Sequence, residues 1–485
     1  MNTIPDMTAA DIDEVVARAQ KASPLVGVAD NETRARWLEH VAAALEAQAP
    51  SLIEIAQEET HLPPARLEGE VARTTGQLRM FAQVVREGSY LEAIIDSADP
   101  NVTPPQPALH RMLVPLGPVA VYAASNFPFA FSVAGGDTAS ALGVGCPVVV
   151  KAHPSHPRLA QATGAVVTEA LRQAGAPEGI FGLVAGHDAG IALVEHPGIT
   201  AASFTGSLDG GRALFDRAAA RPIPIPFYGE LASINPVVVT AAADSDRGEE
   251  LAAGLAQSFQ LGIGQFCTKP GLVFVPQRSR IEALLPDHLK PAPHAMLSDS
   301  IGTAFKKRTS SYANIPGVEL VADVHAAVKG GPSASIFAVS ARDFAANSQA
   351  LSAEVFGPTT VLVGYGNDQE LYDALRLIPG SLTGTVHAQP DDAIDELVHI
   401  LAQRSGRVLF GGWPTGVAVT WAQHHGGPYP STTSIHTSVG ATAVRRFQRP
   451  IVYQDAPDAA LPPALRRSNP WGIPRRIDGQ LRLAG

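Results

Sequence analysis

Apolar positions along the first ninety residues recur at helical spacing. Thr8-Ala-Ala-Asp11 opens one such run, with Val15, Val16 and Ala19 on one face, and the period continues through residues 32–49, 52–59 and 70–82. The pattern predicts a helical opening to the chain. Residues 96–114 are rich in Asp, Asn and Pro before a strand-like Leu109-His-Arg-Met-Leu-Val114. With no local helix to cover it, this stretch reads as an excursion from its domain. A regular alternation follows. Short apolar strands at 119–124, 147–151, 181–184 and 201–204 are separated by helical patterns at 131–142, 158–174 and 189–196. Such alternation predicts a parallel sheet covered on both faces. A second run begins after Pro236, with a helix at 248–260 and strands after Cys267, at 335–339 and at 359–363. No long linker separates the two runs. From Pro450 onward Pro and Arg accumulate, which suits an arm that packs on a neighbour.

Bulk composition narrows the class. At 485 residues the chain exceeds the size at which one core keeps growing, so two or three domains are expected. A hydrophobic fraction of 45% with 17% charged residues is that of a globular protein. The net charge of −10, with no basic cluster to offset it, argues against a nucleic-acid partner. Two cysteines, Cys146 and Cys267, make no disulfide framework and suggest a reducing compartment. The start, Met1-Asn-Thr-Ile-Pro-Asp, leads into an acidic amphipathic helix and does not read as a signal peptide. No run approaches the roughly 18 apolar residues that cross a bilayer. A soluble, cytoplasmic protein is expected.

Candidate chemistry centres on Gln257-Ser-Phe-Gln-Leu-Gly-Ile-Gly-Gln-Phe-Cys267-Thr-Lys-Pro-Gly271. A thiol on a tight turn at the mouth of a strand has backbone N–H groups beside it that can hold an oxyanion. A buried core cysteine is the plainer reading of such a residue alone. Phe227-Tyr-Gly-Glu230-Leu-Ala-Ser-Ile-Asn-Pro236 and Ala124-Ser-Asn126-Phe-Pro128 add a carboxylate and an amide. The strand-turn-helix Phe204-Thr-Gly206-Ser207-Leu-Asp-Gly-Gly211-Arg212 offers a phosphate approach or a simple helix cap. It is not a nucleotide-triphosphate loop, because Arg212-Ala213 stand where Lys-Ser/Thr belongs. Neither Gly-x-Gly-x-x-Gly nor Gly-x-Ser-x-Gly occurs. His424 and His425 are adjacent and point in different directions, so they read as surface or loop residues. No His-x-x-x-His or Cys pair supports zinc, and no metal is expected.

Taken together, Asn126 in Ser-Asn-Phe-Pro, Lys151 closing a strand, Phe204-Thr-Gly-Ser207, Glu230-Leu, Gly264-Gln-Phe-Cys267 and Glu354-Val-Phe-Gly-Pro358 resemble the aldehyde dehydrogenase superfamily in order and spacing. Arg73-Thr-Thr-Gly-Gln-Leu-Arg79, residues 131–140, Gly426-Gly-Pro-Tyr-Pro430 and Arg446-Phe-Gln-Arg-Pro450 resemble the branch of 2-oxoglutarate semialdehyde (2,5-dioxopentanoate) dehydrogenases, whose neighbour is an NADP-dependent fatty-aldehyde enzyme. The resemblance covers nearly the whole chain. It implies an α/β fold of two doubly wound, Rossmann-like parallel sheets plus a β oligomerisation arm. Residues 1–95 and 115–231 would bind cofactor, 232–448 would carry the cysteine, and 96–114 with 449–485 would form the arm.

The resemblance also implies roles. Cys267 is the nucleophile, Glu230 the general base, and Asn126 with the Cys267 N–H the oxyanion donors. Lys151 holds the adenine ribose and, with Ser155, could pair with a 2′-phosphate; Gly206 and Ser207 hold the pyrophosphate, Glu354 the nicotinamide ribose, and Phe356 packs against the nicotinamide. Arg73 is the expected clamp for a substrate carboxylate, ahead of Arg79, with Phe127, Tyr429 and Pro430 as walls. Two departures matter. The run Lys151-Ala-His-Pro154-Ser155 lacks the Glu that NAD-type members place three residues after the lysine, so NADP is expected, with NAD possible. Ser125 stands where many members have Trp, which alters the backing of the cofactor pocket. The implied reaction is oxidation of 2,5-dioxopentanoate to 2-oxoglutarate through a thiohemiacetal, hydride transfer and thioester hydrolysis. A broad aliphatic or fatty-aldehyde dehydrogenase and a non-redox cysteine esterase are the rivals, and a homodimer or homotetramer is the family expectation.

Overall fold

Four helices, Ala9–Val28, Asn31–Ala47, Ala49–Thr60 and Pro64–Glu87, open the computed structural model, which describes residues 6–414 and 416–483. The Met1–Pro5 lead-in, Thr415 and the last two residues of the expected arm lie outside the described residues. Thr8 caps the first helix in a reciprocal capping box with Asp11, and Asp30 caps the second. Gly88, at φ 82°, ends the long fourth helix in the left-handed region. Leu38, Leu67, Leu78 and Phe81 from these helices share one core cluster with Val119, Val148 and Val150 of the first sheet. The second to fourth helices therefore cover one face of an α/β unit, while Ile12, Val15, Val16 and Ala19 of the first pack with Ala120, Tyr122 and Val149 on the other face.

That first sheet runs Phe181–Val184, Val148–Lys151, Val119–Tyr122, Ala201–Thr205, Phe227–Glu230 in spatial order, with every pairing parallel. The chain order reverses between Val119–Tyr122 and Ala201–Thr205. Such a switch opens a crevice at the carboxyl ends of the two strands. The second sheet has seven strands, in the order Glu319–Val324, Ala334–Ser340, Thr359–Tyr365, Leu272–Pro276, Val237–Val239, Ser381–His387, Ser405–Phe410. Its pairings are parallel except for the antiparallel Glu319–Val324 edge. The chain leaves the first sheet at Glu230 and enters the second at Val237.

The third sheet changes the picture of the 96–114 excursion. Leu109–Pro115 pairs along its whole length with Gln448–Gln454 of the same chain, and Ile94–Asp96, Arg475–Ile477 and Gln480–Arg482 complete the sheet. The C-terminal segment thus packs first on its own chain. Two helices also differ from expectation. The 131–142 pattern yields a helix over Gly136–Gly143, because residues 127–135 wind through turns. There Gly135 passes so close to Ala130 that a Cβ would sit 2.5 Å from its carbonyl oxygen. The 248–260 helix begins earlier, at Ala241, capped by Thr240 and kinked at Arg247.

Candidate active site

Cys267 sits between the short turn Leu261–Gly264 and the strand Leu272–Pro276. Its approach is an unusual backbone run: Gly262, Ile263 and Gly264 lie in succession at φ 56°, 49° and 70°. Gly264 has no room for a side chain, since a Cβ would sit 2.2 Å from the carbonyl of Gly357. This contact brings the cysteine loop against the Glu354–Pro358 segment. Asn235, itself left-handed at φ 53°, straps the loop from the other side. Its Nδ2 donates to the carbonyls of Cys267 at 2.7 Å and Lys269 at 3.0 Å, while its Oδ1 accepts from Ser233 Oγ and from the Thr383 amide.

Around the sulfur the decisive finding is His425. Its Nε2 lies 3.5 Å from Cys267 Sγ and 3.0 Å from Glu230 Oε1, and it is 1% exposed against 3% for Glu230. The expectation that His424 and His425 are surface or loop residues is half corrected. Both lie in a loop, but neighbouring residues of an extended segment face opposite ways, and His425 faces inward. Glu230 Oε2 accepts from Ser438 Oγ at 2.7 Å. Burial alone would raise the Glu230 pKa, yet His425, Ser438 and Cys267 outweigh it and leave the carboxyl below its ordinary value. Cys267 goes the other way: burial and the neighbouring Glu230 and Glu354 carboxylates push its thiol well above the usual range, and Arg73 opposes them.

Asn126, 8% exposed, donates from Nδ2 to the Gln265 carbonyl at 3.1 Å. This fixes its amide two residues from Cys267, with a second N–H to spare. Next to it lies an aromatic cage. Phe127 meets Phe131 and Phe266 edge-on, with ring centres 5.4 and 5.3 Å apart. Arg73 sits over Phe127 and Phe131 at 5.5 and 5.0 Å, and its buried Nε and Nη2 have no partner. Arg66 covers Phe127 and Phe266 at 4.6 Å each and donates to the Asn126 carbonyl. Below them Glu70 accepts from the Phe129 and Ala130 amides at 3.3 Å, and burial pushes its carboxyl up to about 7. Arg79 is paired with Glu46 on the outer side. Tyr429 is 54% exposed and turned toward Arg212, with Pro430 following it, while Phe131 and Phe266 line the cage beside Phe127.

The crevice side is built from strand ends. Lys151 closes its strand beside Gly190; burial lowers its pKa and Asp6 opposes that. The Ser155 amide donates to His153 Nδ1 at 3.1 Å, and His153 stacks on His156. Ser207 caps the helix Leu208–Ala220, and the Gly206 amide donates to the Glu230 carbonyl at 3.0 Å. A helix start aimed at a crevice, with an ammonium on the next strand but one, fits the phosphates of a dinucleotide. Glu354, pushed up to about 7 by burial, faces Lys269, whose Nζ donates to the Thr359 carbonyl at 2.7 Å. Phe356 is partly buried against the first core cluster.

Sequence reasoning missed His425, Arg66, Glu70, Asn235, Lys269 and Ser438. One signal was present: Arg66, Glu70 and Arg73 stand four and three apart, on one helix face.

Comparison with known proteins gives consistent results. The model of the aldehyde dehydrogenase family matches residues 1–305. The chain is 46% identical, over 95% of its length and 89% of the relative, to alpha-ketoglutaric semialdehyde dehydrogenase 2 of Azospirillum brasilense. It is 39% identical, over 97% of its length and 91% of the relative, to alpha-ketoglutaric semialdehyde dehydrogenase of Acinetobacter baylyi. Among solved structures, an NAD-dependent aldehyde dehydrogenase of Sinorhizobium meliloti superposes with a TM-score of 0.77 at 23% identity, covering 93% of this chain and 88% of that one. Proline utilization A of Bradyrhizobium japonicum superposes at 0.79 and 24% identity over 93% of this chain, which spans 45% of that longer protein.

Proposed function

The chain belongs to the aldehyde dehydrogenase family, and we propose that it oxidises 2,5-dioxopentanoate to 2-oxoglutarate with NADP. Both near-full-length relatives bear the name of that activity. The observation that carries the reading in this chain is the unpartnered guanidinium edge of Arg73 among phenylalanines near Cys267. A buried arginine without an acceptor is costly unless a ligand supplies one. Arg66, seven residues earlier on the same helix, is the second cation of the cage.

The Cys267 sulfur attacks the aldehyde carbon, and the carbonyl oxygen becomes an oxyanion held by the Asn126 amide and the Cys267 N–H. One nitrogen, His425 Nε2, faces both the thiol and Glu230. With Glu230 ionised, an unprotonated Nε2 can take the thiol proton, and the Glu230 carboxylate holds the imidazolium so formed. A proton on Nε2 leaves Glu230 as the base for the water that releases the thioester. Bound NADP would accept the hydride. Lys151, Ser155, Gly206, Ser207 and Glu354 would hold it, with Phe356 against the nicotinamide.

The pocket supports a rival substrate class as well, since three phenylalanines also suit an alkyl chain. Arg73→Ala separates the two. It should lower kcat/KM for the dioxo acid about 10- to 100-fold, the worth of a charged hydrogen bond, and leave hexanal within a few-fold. An unchanged preference would remove Arg73 as the clamp. NADP rests on Pro154 occupying the position where a carboxylate would repel the 2′-phosphate. Asp6, close to Lys151, is the one observation favouring NAD, and Asp6→Asn should then raise NADP use relative to NAD. We further assign residues 1–95 and 115–231 to cofactor binding, 232–448 to the cysteine domain, and 96–114 with 449–485 to an arm joining a homodimer or homotetramer. The two free thiols suit a cytoplasmic enzyme, and no helix among the described residues is long and apolar enough to cross a membrane.

A further inference from the structure

The chemistry above uses Cys267, His425 and Glu230 as a proton network, but the same three groups are also a set of metal ligands. Their sulfur, nitrogen and oxygen atoms all lie within 4.8 Å of one another. Among the described residues it is the one cluster of three or more His, Cys, Asp or Glu side chains that converges in this way.

The spacing suits one class of cation. In a tetrahedral zinc site, bonds of about 2.3 Å to sulfur and about 2.0 Å to nitrogen or oxygen put ligand atoms roughly 3.3–3.6 Å apart. The sulfur-to-nitrogen distance here is 3.5 Å. The nitrogen-to-oxygen distance of 3.0 Å needs to open by a few tenths of an ångström. The ligands are also held in place before any ion arrives. Ser438 fixes the second Glu230 oxygen, Asn235 ties the Cys267 carbonyl, and the His425 amide donates to Thr437 Oγ1 at 2.7 Å. Cys267 is partly accessible, which leaves a route in and an open fourth position for water.

We propose that Cys267, His425 and Glu230 form a binding site for Zn2+ that blocks the dehydrogenase while occupied. The ion takes one bond from each residue. The thiol proton leaves to solvent, the imidazole keeps its proton on Nδ1, and nothing is oxidised or reduced. One thiolate and one carboxylate neutralise the dication, and Arg73, on the side of the aromatic cage, is the charge that opposes it. Loading removes nucleophile and base together. No spacing motif announces such a site, because its ligands come from positions 230, 267 and 425.

The test uses the full chain, stripped with EDTA and given one equivalent of Zn2+ or Co2+. After desalting, the wild type should retain about one zinc per chain, and the cobalt form should show a thiolate-to-metal charge-transfer band. Alkylation of Cys267 by iodoacetamide should slow at least tenfold on zinc loading. Cys146, buried and donating to the Phe447 carbonyl, serves as the internal control. Cys267→Ser and His425→Gln should lose the retained zinc, whereas Asn126→Ala should keep it. Dehydrogenase activity should fall at least tenfold and return with EDTA. Equal zinc retention in Cys267→Ser and His425→Gln would overturn the proposal, as would a wild type with no charge-transfer band. If either variant fails to fold, wild-type alkylation decides: protection upholds the site, and its absence overturns it. Zinc retention, the charge-transfer band and the alkylation rate need no aldehyde, so they stand or fall apart from the assigned substrate.

Discussion

Cys267 and Glu230 sit close enough to work against each other, and this sets the first prediction. The Glu230 carboxylate is among the charges that push the thiol up. Glu230→Gln should therefore lower turnover by about 10²–10⁴-fold, as expected for a lost general base, yet speed iodoacetamide alkylation of Cys267 at neutral pH. Slower alkylation would mean that Glu230 is needed to activate the thiol itself. Both residues, and Asn126, were legible as short local motifs. His425 was not, because its meaning depends on which way a loop residue turns and on partners 195 and 158 positions away. Glu70 supplies a prediction about stability. Its folded pKa of about 7 lies above the ordinary 4.5, with burial as the main cause and Arg66 and Arg73 opposing it. The folded state then binds more protons than the unfolded state between those values, so stability falls as pH rises from about 4.5 to about 7. Glu70→Gln removes that loss. Its unfolding free energy should match wild type near pH 4.5 and exceed it at pH 8, by at most on the order of 3 kcal/mol, read as a higher melting temperature at pH 8 only. A constant difference across that window would contradict the assignment.

The element that organises the substrate side is the Pro64–Glu87 helix. One face joins the core through Leu67, Leu78 and Phe81, and another presents Arg66, Glu70 and Arg73 to the phenylalanine cage. Its helical period was plain in the sequence. That Arg79 would turn away toward Glu46 follows from its position six residues beyond Arg73, about 120° around the helix. The turns at 131–135 were not legible, because apolar content there reads as helix, and the left-handed run at 262–264 was legible only as a tight turn, since tertiary contact decides its backbone. Gly264 tests this directly. Gly264→Ala must overcome both φ 70° and a 2.2 Å approach to Gly357. The cysteine loop and the Glu354 segment should separate, and KM for NADP should rise together with a loss of kcat. Unchanged kinetics for both would show that the contact is not needed.

At the scale of the molecule, the two parallel sheets were readable from alternation alone, since buried strands between amphipathic helices leave few other solutions. The third sheet was not. Its strands come from residues 94–115 and 448–482, and pairing across that separation leaves no local trace. The fold sets the two sheets so that Glu230 ends one and Cys267 precedes a strand of the other, with Asn235 spanning the passage between them. Cys267 thereby lies between the crevice and the aromatic cage, and we propose that the cage selects a carboxylated aldehyde. The measurement that tests it most directly is NADPH formation by the wild-type enzyme from 2,5-dioxopentanoate beside hexanal and succinic semialdehyde, with NADP and then NAD. A kcat/KM at least tenfold higher for the dioxo acid is predicted. If hexanal equals or exceeds it, the arginine-lined cage does not read a carboxylate, and the assigned substrate is wrong.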